Sequence, residues 1–224
     1  MIAILTVITV IAILMSVAAV GIKKLDQGQA TITPLAISEG IFDEARSAAV
    51  GRASLARVLI HFDPAPDERE RYLRYMVVAV GEPVDSDDDG LGDLDSDGRP
   101  IVEWEIDSRG SFLPSGVFFD QLATDEARSR IADIGTYGTT DMRLPGKNKT
   151  AVTCLYYEFN AEGLCVNMET PDEPGATFVL AGGVLPPNET VPRVRGNNRK
   201  GFVVWRNGRT AIFRNPDHIT LNTQ

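Results

Sequence analysis

Between residues 85 and 98 the chain reads Asp85-Ser86-Asp87-Asp88-Asp89-Gly90-Leu91-Gly92-Asp93-Leu94-Asp95-Ser96-Asp97-Gly98. Carboxylates alternate at 85, 87 and 89, a glycine follows at 90, and more carboxylates stand at 93, 95 and 97. Calcium takes about six to eight oxygen ligands and suits alternating carboxylates on a tight loop. Glycine permits the sharp turn such a loop needs. The candidate ligands are Asp85, Asp87, Asp89 and Asp93, with Asp95 or Asp97 as alternates. The ion's role would be structural, ordering a loop between two strands. Left unneutralised, these carboxylates repel one another unless water solvates them. The competing reading is therefore a solvated acidic loop or linker.

A second cluster has the opposite sign. Arg193, Arg195, Arg199, Lys200, Arg206 and Arg209 fall in a stretch with no acidic residue, in a chain of formal net charge -9. Trp205 and Phe213 could stack on bases, so the stretch is a candidate surface for a phosphate backbone. The simpler reading puts these side chains on the solvent face of two strands, or against acidic neighbouring subunits.

Little else suggests catalysis. His61 and His218 are the only histidines, and no nucleophile elbow, phosphate loop or zinc-protease motif occurs. Glu103 and Glu105 flank Trp104 and mimic a carboxylate pair, but alternate positions on a strand share its exposed face. We expect no enzyme. Cys154 and Cys165 flank a hairpin turn at Asn160-Ala161-Glu162-Gly163. If Phe159 faces Leu164, Cys165 faces Glu158 and Cys154 lies on the same sheet face about 13 Å away, at ~3.3 Å per residue. A disulfide needs Cα atoms within roughly 7 Å, so a bridge requires another register or a bulge.

These clusters need a scaffold. Residues Met1 to Ile22 carry no charge and no proline. As a helix they would span ~33 Å, matching a hydrocarbon core of ~30 Å. A cleaved signal usually has a basic start and a shorter apolar run. An ordinary anchor conflicts with Lys23 and Lys24, which would draw that flank to the cytoplasm. Pro34 predicts a break near Thr33. A second helix is expected from Ser38, with Ile41, Phe42, Ala45, Ala48, Ala49, Leu55, Val58 and Leu59 at helical spacing, ending at Asp63-Pro64. Strands are expected at Tyr72 to Val80, Ile101 to Ile106, Gly116 to Phe119, Val152 to Phe159, Leu164 to Met168, Ala176 to Ala181, Gly201 to Arg206 and Arg209 to Arg214. Asn207-Gly208 signals a tight hairpin between the last two. Asp125 to Ile134 reads as a short helix. The domain plan is 1–22 as an apolar helix, 23–62 as linker and stalk helix, and 63–224 as a β-rich domain.

Several short texts carry a resemblance. Ile4 to Leu14 is similar to the hydrophobic stretch of type IV pilins and type II secretion pseudopilins. Glu44-Ala45-Arg46-Ser47-Ala48-Ala49-Val50 resembles the Ala-Arg-Ala-like helix of H-type minor pseudopilins and FimT-like minor pilins. Leu113-Pro114-Ser115-Gly116-Val117-Phe118-Phe119, Phe159-Asn160-Ala161-Glu162-Gly163 and Asn207-Gly208-Arg209 follow in the family's order. The family's leader, cleavage glycine and glutamate are missing; Ala3 stands where the glutamate would be, and the expected true start lies upstream. The acidic run resembles the opening of an EF-hand loop and still more the repeats of thrombospondin type 3. Ser96 occupies the place of the EF-hand's twelfth-position glutamate.

The resemblance implies an α+β fold: a long N-terminal helix, membrane-spanning and then a stalk, followed by a mostly antiparallel β domain. It implies a single-pass protein of the bacterial inner membrane with a periplasmic domain. Its function would be that of a minor pseudopilin supporting protein export. Its partners would be other pilin-like subunits, inner-membrane assembly proteins and, through residues 1–22, the membrane. Two alternatives are a minor pilin that binds DNA through the basic C-terminal hairpin and a membrane-anchored, calcium-ordered surface protein that does not polymerise.

Overall fold

The computed structural model describes residues 32–86, 92–96, 98, 100–131, 134–146, 150–166, 175–187 and 189–213. Among them the chain forms two helices and eleven strands, and all the strand pairings are antiparallel.

Helix α1 spans Ile32–Arg52. Pro34 falls in its first described turn, where the missing N–H removes no helical bond; the helix is in place six residues before the expected start at Ser38, and the residues before Ile32 lie outside the described residues. Ile41, Phe42, Ala45 and Ala49 form its buried face. The two fully buried alanines let the helix lie close to a sheet. It ends where Ala53 turns left-handed (φ 50°) and the Ser54 N–H donates to the Ala49 carbonyl at 3.0 Å.

The strands are β1 (Leu55–His61), β2 (Tyr75–Pro83), β3 (Val102–Ile106), β4 (Ser111–Phe112), β5 (Val117–Phe119), β6 (Gly138–Met142), β7 (Val152–Phe159), β8 (Cys165–Val166), β9 (Ala176–Val184), β10 (Arg193–Val204) and β11 (Thr210–Phe213). Helix α2 (Gln121–Ser129) follows β5. One sheet has the order β3-β2-β1-β7-β6, with β4 also on β2 and β8 also on β7. The other has the order β11-β10-β9-β5. The main core lies where α1 meets both sheets. The Phe42 ring centroid is 5.1 Å from Tyr157, 6.2 Å from Phe159, 5.3 Å from Phe178 and 5.0 Å from Phe202. Strand β1 alternates across its sheet: Ala56, Val58 and Ile60 enter this core, while Leu59 joins Tyr75, Val77, Cys154 and Tyr156 on the far face.

Three expectations are corrected. The fold is mostly antiparallel β, and among the described residues no long helix runs through a membrane into a stalk. Segment 55–61, read as the stalk's end, is a central strand. It is buried on both faces, and a strand buried twice reads as a continuous apolar run rather than an alternating one. The single-pass inner-membrane expectation also falls. No helix among the described residues is long and apolar enough to cross a membrane; α1 carries Glu39, Asp43, Glu44, Arg46 and Arg52. The apolar stretch 1–22 lies outside the described residues.

The cysteine register is corrected as well. Phe159 pairs with Cys165, and Glu158 with Val166. This one-residue difference moves Cys165 to the opposite face from Cys154. Cys165 joins the main core, Cys154 the far-face cluster, and both are free thiols.

Candidate functional site

The acidic run forms the loop joining β2 to β3. Its base is closed by the Val84 N–H donating to the Ile101 carbonyl at 2.9 Å. Asp93 lies back across the base: its N–H donates to Val84 O at 2.7 Å, and its carbonyl accepts from Ile101 N at 2.8 Å. The Asp93 carboxylate accepts the Ser86 N–H at 3.0 Å and also the Ser86 hydroxyl. The Asp95 carbonyl accepts the Gly98 N–H at 3.0 Å, with Gly98 at φ 76°. Asp85, Asp93 and Asp95 are thus placed on one loop base, whereas Asp87, Asp89 and Asp97 lie outside the described residues. Among the described residues no group of three or more histidine, cysteine or acidic side chains is arranged to hold a metal.

The basic stretch does not form one face. Arg193 is paired with Glu189 and holds that carboxyl below its ordinary range by hydrogen bonding. The Arg199 Nε lies 3.0 Å from Asp120, whose other carboxylate oxygen accepts the Ala123 N–H at 3.0 Å and caps α2. Arg199 and Lys200 are successive residues of β10, so they point to opposite faces. Arg206 and Arg209 are exposed at the β10–β11 turn. The side chain of Arg195 lies outside the description.

The residues weighed for catalysis are scattered. His61 is fully buried, neither ring nitrogen has a hydrogen-bond partner among the described residues, and burial lowers its pKa. Its backbone pairs with Cys154 across β1 and β7. Glu103 and Glu105 are exposed on β3, and Trp104 turns to the other face beneath Arg57, 3.9 Å from ring centroid to guanidinium. His218 lies outside the described residues.

Two features were not read from the sequence. The first is a cavity of about 180 Å³ walled by Tyr72, Leu73, Phe118, Phe119, Val191 and Val194, with Asp120 and Arg199 at its side. A second hollow of about 330 Å³ adjoins it, sharing Phe118 and Gly183 and edged by Arg69, Glu70 and Arg74. The Arg74 guanidinium stands 5.9 Å from the Phe118 ring. The second is a clasp. Arg46 of α1 donates through Nε to the Gly163 carbonyl at 3.2 Å. Gly208 closes over both: a Cβ there would lie 2.3 Å from Gly163 O and 2.7 Å from Arg46 Nε. Gly163 and Gly208 both adopt positive φ, at 74° and 73°. The helix, the β7–β8 turn and the β10–β11 turn therefore meet at one point. Glycine spacing was the available signal for the clasp. The groove had none, because its walls come from segments far apart in the chain.

Comparison with protein-family models, with curated proteins and with solved structures finds no match.

Proposed function

We propose that this protein is a structural, non-catalytic subunit of the minor pseudopilin kind, serving a type II secretion or related type IV filament assembly. The observation that supports this reading is the clasp. Arg46, Gly163 and Gly208 come from three of the short texts that resemble H-type minor pseudopilins. The fold offers those texts a shared reason, since a helix arginine bonds one hairpin turn and Gly208 of the other turn packs against both at a distance that only glycine allows. Two sheets held rigidly on one helix make a body suited to lateral contacts. Calcium on the β2–β3 loop would stiffen one end of that body.

The test is cross-linking in the native cell followed by identification of the linked chains. A ladder that includes other pilin-like subunits is the expected result. Links to none of them would overturn the reading.

A further inference from the structure

Tyr72 and Leu73 form the buried side of the cavity of about 180 Å³. Leu73 adopts a left-handed backbone, with φ 56°, which a bulky side chain rarely takes. Two hydrogen bonds hold it there. Its N–H donates to the His61 carbonyl at 2.8 Å, and its own carbonyl accepts the Phe119 N–H at 2.9 Å. The segment before β2 is thus pinned both to the end of β1 and to β5. Strained backbone held in this way collects at ligand sites. The Tyr72 ring stacks on Phe62, with centroids 5.8 Å apart.

The charged groups beside the cavity satisfy each other. Asp120 accepts the Ala123 N–H through one oxygen and bonds Arg199 Nε through the other, both at 3.0 Å. Tyr72 differs. It is only 4% exposed, yet among the described residues its hydroxyl has no hydrogen-bond partner. Burial raises its pKa, so it stays a neutral phenol that can donate and accept. A polar group set in an apolar wall orients a ligand and supplies specificity. The remaining walls are Leu73, Phe118, Phe119 and Val194. Leu122 and Val191, 71% and 61% exposed at the mouth, make the way in apolar too.

An apolar cavity of about 150 Å³ holds benzene, so this one takes a single ring with one or two small substituents. Phenylalanine walls favour an aromatic ring through edge and offset contacts. A charged group is disfavoured. A carboxylate would face Asp120 and an ammonium Arg199, and each of those side chains is already paired with the other. We infer that this cavity binds a neutral, single-ring phenol, with the ring against Phe118 and Phe119 and its oxygen hydrogen-bonded to the Tyr72 hydroxyl. The site is independent of the filament reading, since it needs neither a second subunit nor a membrane, and the two stand or fall separately.

The experiment titrates 4-methylphenol and toluene into the purified full-length chain, read by NMR of its labelled leucine and valine methyls. Saturable shifts should centre on Leu73, Leu122, Val191 and Val194, and 4-methylphenol should bind about tenfold tighter than toluene. Tyr72→Phe keeps the ring that stacks on Phe62 and should bring the two ligands level. Benzoate and benzylamine should each bind about tenfold more weakly than 4-methylphenol. Val191→Asp, a change at the exposed rim that leaves the core untouched, should weaken both 4-methylphenol and toluene. Should Tyr72→Phe fail to fold, the comparison with toluene in the unmodified chain still decides. Absent or scattered shifts, toluene or benzoate bound as tightly as 4-methylphenol, or a hydroxyl preference that survives in a folded Tyr72→Phe chain would each overturn the inference.

Discussion

The Nε of Arg57 lies 2.6 Å from a carboxylate oxygen of Glu158, on the face of the first sheet turned away from α1. Trp104 and Tyr156 flank the guanidinium, with centroids at 3.9 and 4.0 Å. Glu158 is buried, and among the described residues its second oxygen has no hydrogen-bond partner.

Removing one partner of such a pair strands a charge in the protein interior. Arg57→Ala should destabilise the fold by about 3 kcal/mol, measured by urea unfolding at neutral pH. Burial raises the Glu158 pKa despite the opposing pull of Arg57. A raised folded value means that its contribution is fully present below the ordinary carboxyl pKa and falls as pH rises toward the folded one. Glu158→Gln should remove that slope while costing less than Arg57→Ala.

The clasp separates two costs of replacing a glycine. At Gly208 an alanine Cβ meets the Gly163 carbonyl, and φ is 73°. At Gly98 φ is 76° but nothing lies within 4 Å of a Cβ. Gly98→Ala should therefore cost only left-handed strain, about 1 kcal/mol. Gly208→Ala should cost at least twice that, about 2–4 kcal/mol in the same denaturant titration. Equal costs would mean that the turns separate freely.

His61 supplies an acid limit. Its ring is buried among Cys154 across the sheet and the charged Asp63, Glu68 and Arg71, and desolvation outweighs the acidic neighbours in lowering its pKa. The unfolded chain takes up a proton near pH 6.5, the folded one only at lower pH. Stability should be complete above about 6.5 and decline as pH falls toward the folded value. His61→Phe should flatten this part of a thermal-denaturation pH profile. An unchanged profile would assign the decline to other groups.

Calcium should raise the melting temperature if the β2–β3 loop holds it. At a concentration about a hundredfold above the dissociation constant the gain is about 2.7 kcal/mol. Asp93→Asn should lose most of it, whereas magnesium should give little. No shift with calcium in the unmodified chain would return the loop to plain solvation.

Much of the sheet was legible in the sequence. β7 matches its expected run end to end, and a hairpin does join β10 to β11 near Asn207-Gly208, but not as a two-residue turn: the Gly208 N–H donates to Trp205 O at 2.8 Å, Trp205 N donates to Arg209 O at 2.9 Å, and the last paired residues are Val204 and Thr210. Failure came where burial erased periodicity. Leu55, Val58 and Leu59 fit a helical face by spacing, yet β1 is central and buried on both sides. β6 was missed because Gly138-Thr139-Thr140-Asp141-Met142 is polar, as an edge strand can be. The candidate site was legible only in part. The acidic loop stood out because its carboxylates fall within one short stretch of chain. The groove joins Tyr72, Phe118, Gly183 and Val191, which come from segments far apart in the chain: β5 and β9 bring Phe118 and Gly183 together, and the fold adds Tyr72 and Val191.

The two thiols lie on opposite faces of one sheet, and burial pushes each pKa up to about 12. Neither offers a reactive thiolate at neutral pH, and neither can reach the other. Burial on separate faces keeps each thiol in the core of the folded body. Once folded, it places its thiols too far apart in the sheet's two faces for an internal bridge. A cysteine placed on its surface would report contacts against a silent background.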